Sequence, residues 1–198
     1  PDVDILLELH RRLAPMHAID VADALAEFEP YWLEEPCQCD NIEALAEVRR
    51  SSKIPVVTGE AIYTRAEFRR IFGARAADNI NPDVSNCGGI LELMNIAAAA
   101  ESEQIAVSPH NYNSTTISLS STVHAAACMP NFIITEYFLP FEELGARLAP
   151  NLLKPVNGYI ALPEGPGLGL DIDEQAVRAT PGQQFAPRSF RLPKDEGP

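Results

Sequence analysis

The sequence predicts an α/β fold of the (β/α)8-type TIM barrel, represented by about six βα units and followed by an irregular C-terminal tail. Three observations predict it. Short apolar runs ending in a carboxylate recur at 3–8, 31–34 and 55–60, so that Glu8, Glu34 and Glu60 fall at 26-residue intervals. That interval is the length of one strand–helix unit. Further apolar runs end at Asp83, His110 and Glu136, with nearly the same spacing. Between the runs lie segments with apolar residues at helical spacing, and such alternation makes a parallel sheet.

Taken in order, residues 3–9 are strand-like, with His10 at the tip. Residues 15–28 read as a helix, with Pro15 in the first turn and Ile19, Ala22, Leu25 and Ala26 on one stripe. The strand at 31–34 is stopped by Pro36. A helix at 41–50 turns Ile42, Leu45, Ala46 and Val48 inward, with Asp40 as its N-cap. The strand at 55–58 precedes Gly59-Glu60. Thr64 caps a helix running to residue 72, with Glu67 in the capping-box position. The strand at 78–81 runs into Pro82-Asp83. Gly88-Gly89 opens a helix to residue 101 with Ile90, Leu93, Met94 and Ile96 inward. The strand at 105–107 leads to Pro109-His110, a helix spans 114–127, and a last strand at 131–135 ends at Glu136.

From residue 140 the Pro- and Gly-rich tail reads as a wrap over the barrel, not as a seventh unit. Its Gly-rich stretch at 165–169 misses the spacing of a phosphate loop and reads as a turn. Six strands cannot close a barrel of eight, and an open parallel sheet leaves unpaired edges. Residues 1–198 therefore read as the C-terminal barrel domain of a longer chain, with two units preceding residue 1. A doubly wound sheet is the alternative.

Composition narrows the function. A formal charge of −13 argues against nucleic acid and against anionic membrane surfaces as partners. No apolar run approaches the roughly 18–20 residues of a membrane span. Cys37, Cys39, Cys87 and Cys128 form no CxxC pair and read as free thiols of a cytoplasmic protein, in preference to a zinc site on the loop of Cys37 and Cys39.

Acids at the tips of three successive parallel strands converge on one point, and like charges gathered there need a cation. Oxygen ligands suit a hard divalent ion, so Glu8, Glu34 and Glu60 read as a Mg2+ site. Asp83 and His110 lie on adjacent strand tips, where the carboxylate can orient the imidazole as a general base. His10 approaches from the opposite wall. Two titratable groups facing each other across a metal suit removal of a proton beside a carboxylate and help to a leaving group. Glu136, protonated, could donate to the charge that develops. Glu35 reads as a supporting carboxylate, and His17 and His124 as helix residues away from the tips.

These residues resemble the enolase superfamily, in its mandelate racemase branch, and most closely its galactonate dehydratase group. The resemblance runs through 8–13, 32–36, Gly59-Glu60, 81–85 with Gly88-Gly89, 108–110 and 158–169. It implies Glu8, Glu34 and Glu60 as metal ligands and His110 with Asp83 as the base. It further implies His10 as the acid that protonates a leaving 3-hydroxyl, and Glu136 as the carboxyl that hydrogen-bonds a substrate carboxylate. The implied reaction is Mg2+-dependent dehydration of a sugar acid to a 2-keto-3-deoxy acid, in a homo-oligomer when full length. A racemase or epimerase, and a non-catalytic barrel held together by its metal, are the alternatives. Two positions depart from the family pattern: Glu8 stands where aspartate is usual, and Arg11 where glycine is usual. Arg11 could reach an acid-sugar substrate or lie on the surface.

Overall fold

The acid-ending runs form parallel strands in the computed structural model, which describes residues 3–180 and 182. These strands are β1 (Leu6–Glu8), β2 (Trp32–Glu34), β3 (Val56–Thr58), β4 (Asn79–Ile80) and β5 (Ala106–Val107). They lie side by side in chain order, all parallel. Each return crosses over through a helix: α1 (Pro15–Leu25), α2 (Ile42–Ser51), α3 (Arg65–Ala74) and α4 (Ile90–Ser102). Helix α5 (Thr116–Ala126) follows β5. The result is the α/β alternation that the sequence predicts, a parallel sheet in chain order with helical crossovers.

Apolar periodicity sets which face each element buries. Leu45, Val48, Phe68, Ile71, Leu93 and Ile96 from the helices are buried in one core with Val56, Ile80 and Val107 from the strands. Consecutive helices pack on one another along the sheet, so the helical layer covers one face. The other face carries Glu34, Asn79 and Asn81, all buried. The sheet curves enough that Leu6 of β1 and Ile134 beyond β5 line the same cavity of about 100 Å3.

Local signals account for most element ends. Thr64 accepts from the Glu67 amide while the Glu67 carboxylate accepts from the Thr64 amide, a complete capping box. Pro15 opens α1 as expected. Helix α2 is capped by Asn41, whose side chain accepts from the Ala44 amide, and not by Asp40; the two adjacent residues are equivalent in sequence and only the backbone turn selects between them. The stripe of α4 is shifted: Leu93 and Ile96 are buried, but Ile90 is 40% exposed because it sits in the first turn.

Two further expectations are corrected. Residues 131–135 do not form a full strand: Phe132 makes a single parallel bridge to Val107, so among the described residues the sheet has five strands, not six. Two ladder bonds, from Val107 N to Asn131 O and from Ile133 N to Val107 O, are all that extend it. The tail is also less irregular than expected, with short helices α6 (Glu142–Leu148) and α7 (Glu174–Ala179). Residues 165–169 do turn, and Leu168 O there accepts from Ser120 Oγ at 2.6 Å and from His124 Nε2 at 3.3 Å. No described helix is long and apolar enough to cross a membrane.

Candidate active site

Register is the first cause of the site. Glu8 and Glu34 are direct partners across the β1–β2 ladder, so their side chains leave the same face about one strand spacing apart. Glu60 joins them from the turn after β3, two residues past Thr58. One carboxylate oxygen from each of the three lies within 4.8 Å of the others. Gly59 makes this approach feasible. Its φ of +148° is one that side chains rarely adopt, and a Cβ there would come within 2.9 Å of the Asn81 backbone nitrogen.

The neighbouring acids Glu34 and Glu35 have opposite fates because Glu34 ends β2, whereas Glu35 lies past its end with φ 44°, a left-handed turn of the backbone. Glu34 takes the inner face, where Trp32 Nε1 donates to it at 3.1 Å and Asn81 Nδ2 at 2.7 Å. Glu35 is fully buried on the other side. It accepts from Thr58 Oγ1 at 2.7 Å, from the Gly59 amide at 2.9 Å and from Arg11 Nη1 at 3.0 Å. It is a supporting carboxylate, held away from the cluster. Arg11 Nη1 donates to Glu60 Oε1 as well. Arg11 thus joins two protein carboxylates and neither lies free on the surface nor extends into the cavity, unlike either role the sequence allowed it.

A parallel bridge between Asp83 and His110 carries β4 and β5 past their ends and sets these residues side by side. Asp83 Oδ2 meets His110 Nδ1 at 2.8 Å, and the Ser85 amide donates to Asp83 Oδ1 at 2.7 Å. His110 Nε2 faces Glu60 Oε2 at 2.9 Å and Glu136 Oε2 at 3.7 Å. His10 Nδ1 lies 3.9 Å from Glu60 Oε1 and 3.9 Å from Glu8 Oε1. The two imidazoles therefore sit against different oxygens of one carboxylate. Glu136 Oε2 accepts from the Asn111 amide at 2.7 Å. His17 is exposed on α1 and does not line the cavity that these groups share.

Glu8, His10, Glu34, Glu60, His110 and Glu136 line a single open cavity of about 540 Å3. Asp83 stands behind His110. Four further lining residues escaped the sequence expectations: Leu6, Arg12, Trp32 and Tyr112. Trp32 could have been found, since it lies two residues before Glu34 on the same strand face. Arg12 and Tyr112 follow strand tips, where loop geometry decides the direction of a side chain.

Electrostatics distinguish the three clustered acids. Burial, then the charges of Glu8 and Glu136, push Glu34 up to about 8. Glu8 is also raised, first by burial. For Glu60, burial acts upward but hydrogen bonds from His110 and Arg11 outweigh it and lower it to about 2. Burial acts downward on His110, yet its bonds to Asp83 and Glu60 and the charge of Glu136 raise it to about 10. In the ion-free form these contacts favour the protonated ring of His110. Glu8 and Glu34 are carboxyl groups packed together with no lysine or arginine paired to either among the described residues, and an all-oxygen donor set of this kind fits a hard divalent cation.

These shifts set a pH dependence. The raised values of Glu34 and His110 mean that the folded state binds their protons more tightly than the unfolded chain does. Their stabilisation is complete below the ordinary values and is lost as pH rises through about 8 and about 10. Glu60 acts oppositely: its contribution is present above 4.5 and lost as pH falls through about 2. The metal-free protein should thus melt at lower temperature as pH rises from about 5 to about 9. A divalent ion, which favours the ionised carboxylates, should reverse that slope. Melting curves with chelator and with Mg2+ across this range check it.

The chain is similar to known proteins in sequence and in fold. A family model described as Enolase C-terminal domain-like matches residues 1–176. D-galactonate dehydratase of Ralstonia nicotianae is 31% identical over 181 residues, which are 88% of this chain and 47% of that protein. D-galactarolactone cycloisomerase of Agrobacterium fabrum is 29% identical over 184 residues, 89% of this chain and 49% of that protein. The crystal structure of a mandelate racemase/muconate lactonizing enzyme-like protein from Rubrobacter xylanophilus superposes with a TM-score of 0.84 at 38% identity, over 90% of this chain and 46% of that one. The chain spans under half the length of each of these proteins.

Proposed function

The chain belongs to the enolase C-terminal domain-like family, and from that premise we propose that it forms the barrel part of a Mg2+-dependent hydro-lyase acting on a sugar acid. The product is the 2-keto-3-deoxy acid. The observation that carries the reading is one cavity lined by three carboxylates that share a meeting point, a histidine backed by aspartate, and a second histidine. The dehydratase among the relatives supports the choice of reaction.

Glu8, Glu34 and Glu60 would hold the ion. Its chemistry, when bound, is positive charge set against both Glu60 and the carboxylate of a substrate. His110 Nε2 takes the proton from C2, and Asp83 keeps the ring oriented through Nδ1. Positive charge beside Glu60, which faces His110 Nε2 at 2.9 Å, would favour the neutral ring that the base role needs. The electron pair left at C2 forms the C2–C3 double bond as the C3–O bond breaks. His10 gives its proton to the departing hydroxyl, which leaves as water, and the enol then tautomerises to the 2-keto acid. Glu136 hydrogen-bonds the substrate carboxylate. The substrate is a small molecule, and the four unpaired cysteines suit a reducing, cytoplasmic setting. A homo-oligomer is our expectation for the full-length protein.

The test is a panel of aldonic and aldaric acids offered to the full-length protein, with 2-keto acid formation as the readout. At least one acid should be turned over by the parent protein. The same acid with His10→Asn should still exchange its C2 proton for solvent deuterium but form little product. A second reading, isomerisation on the same scaffold, draws on the cycloisomerase relative. Deuterium at C2 of recovered substrate, without any dehydration by the parent protein, would favour it.

A further inference from the structure

Arg11 is the feature of the site that the proposed reaction does not use. Its backbone has φ 61°, a left-handed conformation that favours glycine. Three contacts hold it there. The Arg11 amide donates to Glu35 O at 2.7 Å, Gln38 Nε2 donates to Arg11 O at 3.1 Å, and the guanidinium spans Glu35 Oε2 and Glu60 Oε1. Glu35 is fully buried, and its other donors, Thr58 and the Gly59 amide, are neutral. Arg11 is therefore the one cation paired with Glu35 among the described residues. On Glu60 it takes one oxygen while His110 faces the other. Among the described residues no arginine or lysine pairs with Glu8 or Glu34: Glu34 is held by the neutral donors Trp32 and Asn81, and Glu8 by the His10 amide, with the His10 ring 3.9 Å away.

We propose that Arg11 is a resident counter-cation of this centre, holding Glu60 and Glu35 in place in the ion-free protein and competing with the divalent ion for Glu60. This rests on the reading of Glu8, Glu34 and Glu60 as the ion's ligands. A guanidinium on Glu60 stands within a few ångströms of any ion bound to that carboxylate, and like charges at that range repel even in a screened protein environment. The same guanidinium neutralises a buried carboxylate that otherwise lacks a charge partner. Arg11 thus keeps Glu60 aimed at the cluster before the ion arrives, at the expense of weaker binding once it does. It is a positioning residue, acting through Glu60.

The experiment compares the parent protein with Arg11→Met and Arg11→Lys by calorimetric titration with Mg2+ and by thermal melting with and without the ion. Arg11→Gly is a second charge-free variant whose backbone suits the positive φ, so that a folding defect of the methionine form does not end the test. Competition predicts three results together. The charge-free variants melt lower than the parent in chelator, Mg2+ raises their melting temperature more than it raises the parent's, and their Kd for Mg2+ falls by about ten-fold or more. Arg11→Lys returns toward the parent on all three. A purely structural clamp would lower melting equally with and without Mg2+ and leave the Kd unchanged, which overturns the proposal. Weaker Mg2+ binding by the charge-free variants overturns it too. Absence of Mg2+ binding by the parent and the variants alike would remove the ligand assignment itself, and the proposal with it.

Discussion

His110→Ala in the full-length protein should lower the rate of C2 proton exchange by about 100- to 10,000-fold, the usual contribution of a positioned general base. The expectation comes from geometry before charge. Asp83 Oδ2 fixes Nδ1 at 2.8 Å, which leaves Nε2 as the nitrogen that faces the cavity. Truncation leaves Asp83 with its bond from the Ser85 amide, so the strand tips keep their bridge and the fold should persist. Deuterium incorporation at C2 isolates this step from loss of the hydroxyl, and circular dichroism controls for folding. Dehydration and exchange should fall together, unlike the His10 variant, in which exchange survives. Undiminished exchange in His110→Ala would move the base to another residue and end the role assigned here.

Glu34→Gln should weaken Mg2+ binding by more than about 100-fold, beyond the 10–100-fold typical of residues that only support a ligand, and abolish turnover with it. Glu34 is the central acid by register, paired with Glu8 on one side and adjacent to β3 on the other. The glutamine keeps its shape, and its hydrogen bonding can be rearranged. Asn81 Oδ1 has no partner among the described residues, so a turned Asn81 amide can accept from the new NH2 while Trp32 still donates to the remaining oxygen. Removing the charge also removes repulsion from Glu8 and Glu136, which helps push Glu34 up to about 8. Ion-free Glu34→Gln should therefore melt at least as high as the parent at alkaline pH, with binding and activity lost. That opposition between stability and function separates a ligand from a core residue. Unchanged Mg2+ affinity by calorimetry would exclude Glu34 from the ion's ligands.

Much of this site was legible from spacing. The recurrence of Glu8, Glu34 and Glu60 every 26 residues has meaning because one strand–helix unit returns the chain to the same end of a parallel sheet. Placing Asp83 beside His110 follows from the same rule applied to the next pair of tips. Helix stripes and the Thr64–Glu67 box were readable for a similar reason: each depends on residues within one or two turns of each other. The errors fall where the deciding contact is not local. Residues 131–135 carry a strand-like pattern, yet only Phe132 bridges to Val107, because pairing depends on what lies alongside and not on propensity alone.

The sequence by itself determined the parallel βα alternation, the acids at its tips, and a histidine with an aspartate on adjoining strands. Tertiary structure alone decided that Glu35 turns away from Glu34, that Arg11 bridges Glu35 and Glu60, and that both imidazoles settle on opposite oxygens of Glu60. The physical reason is reach. Backbone periodicity places a Cα from sequence with an error of a residue or so. A long side chain on a left-handed loop chooses among carboxylates only a few ångströms apart, and the curvature of the assembled sheet sets those distances.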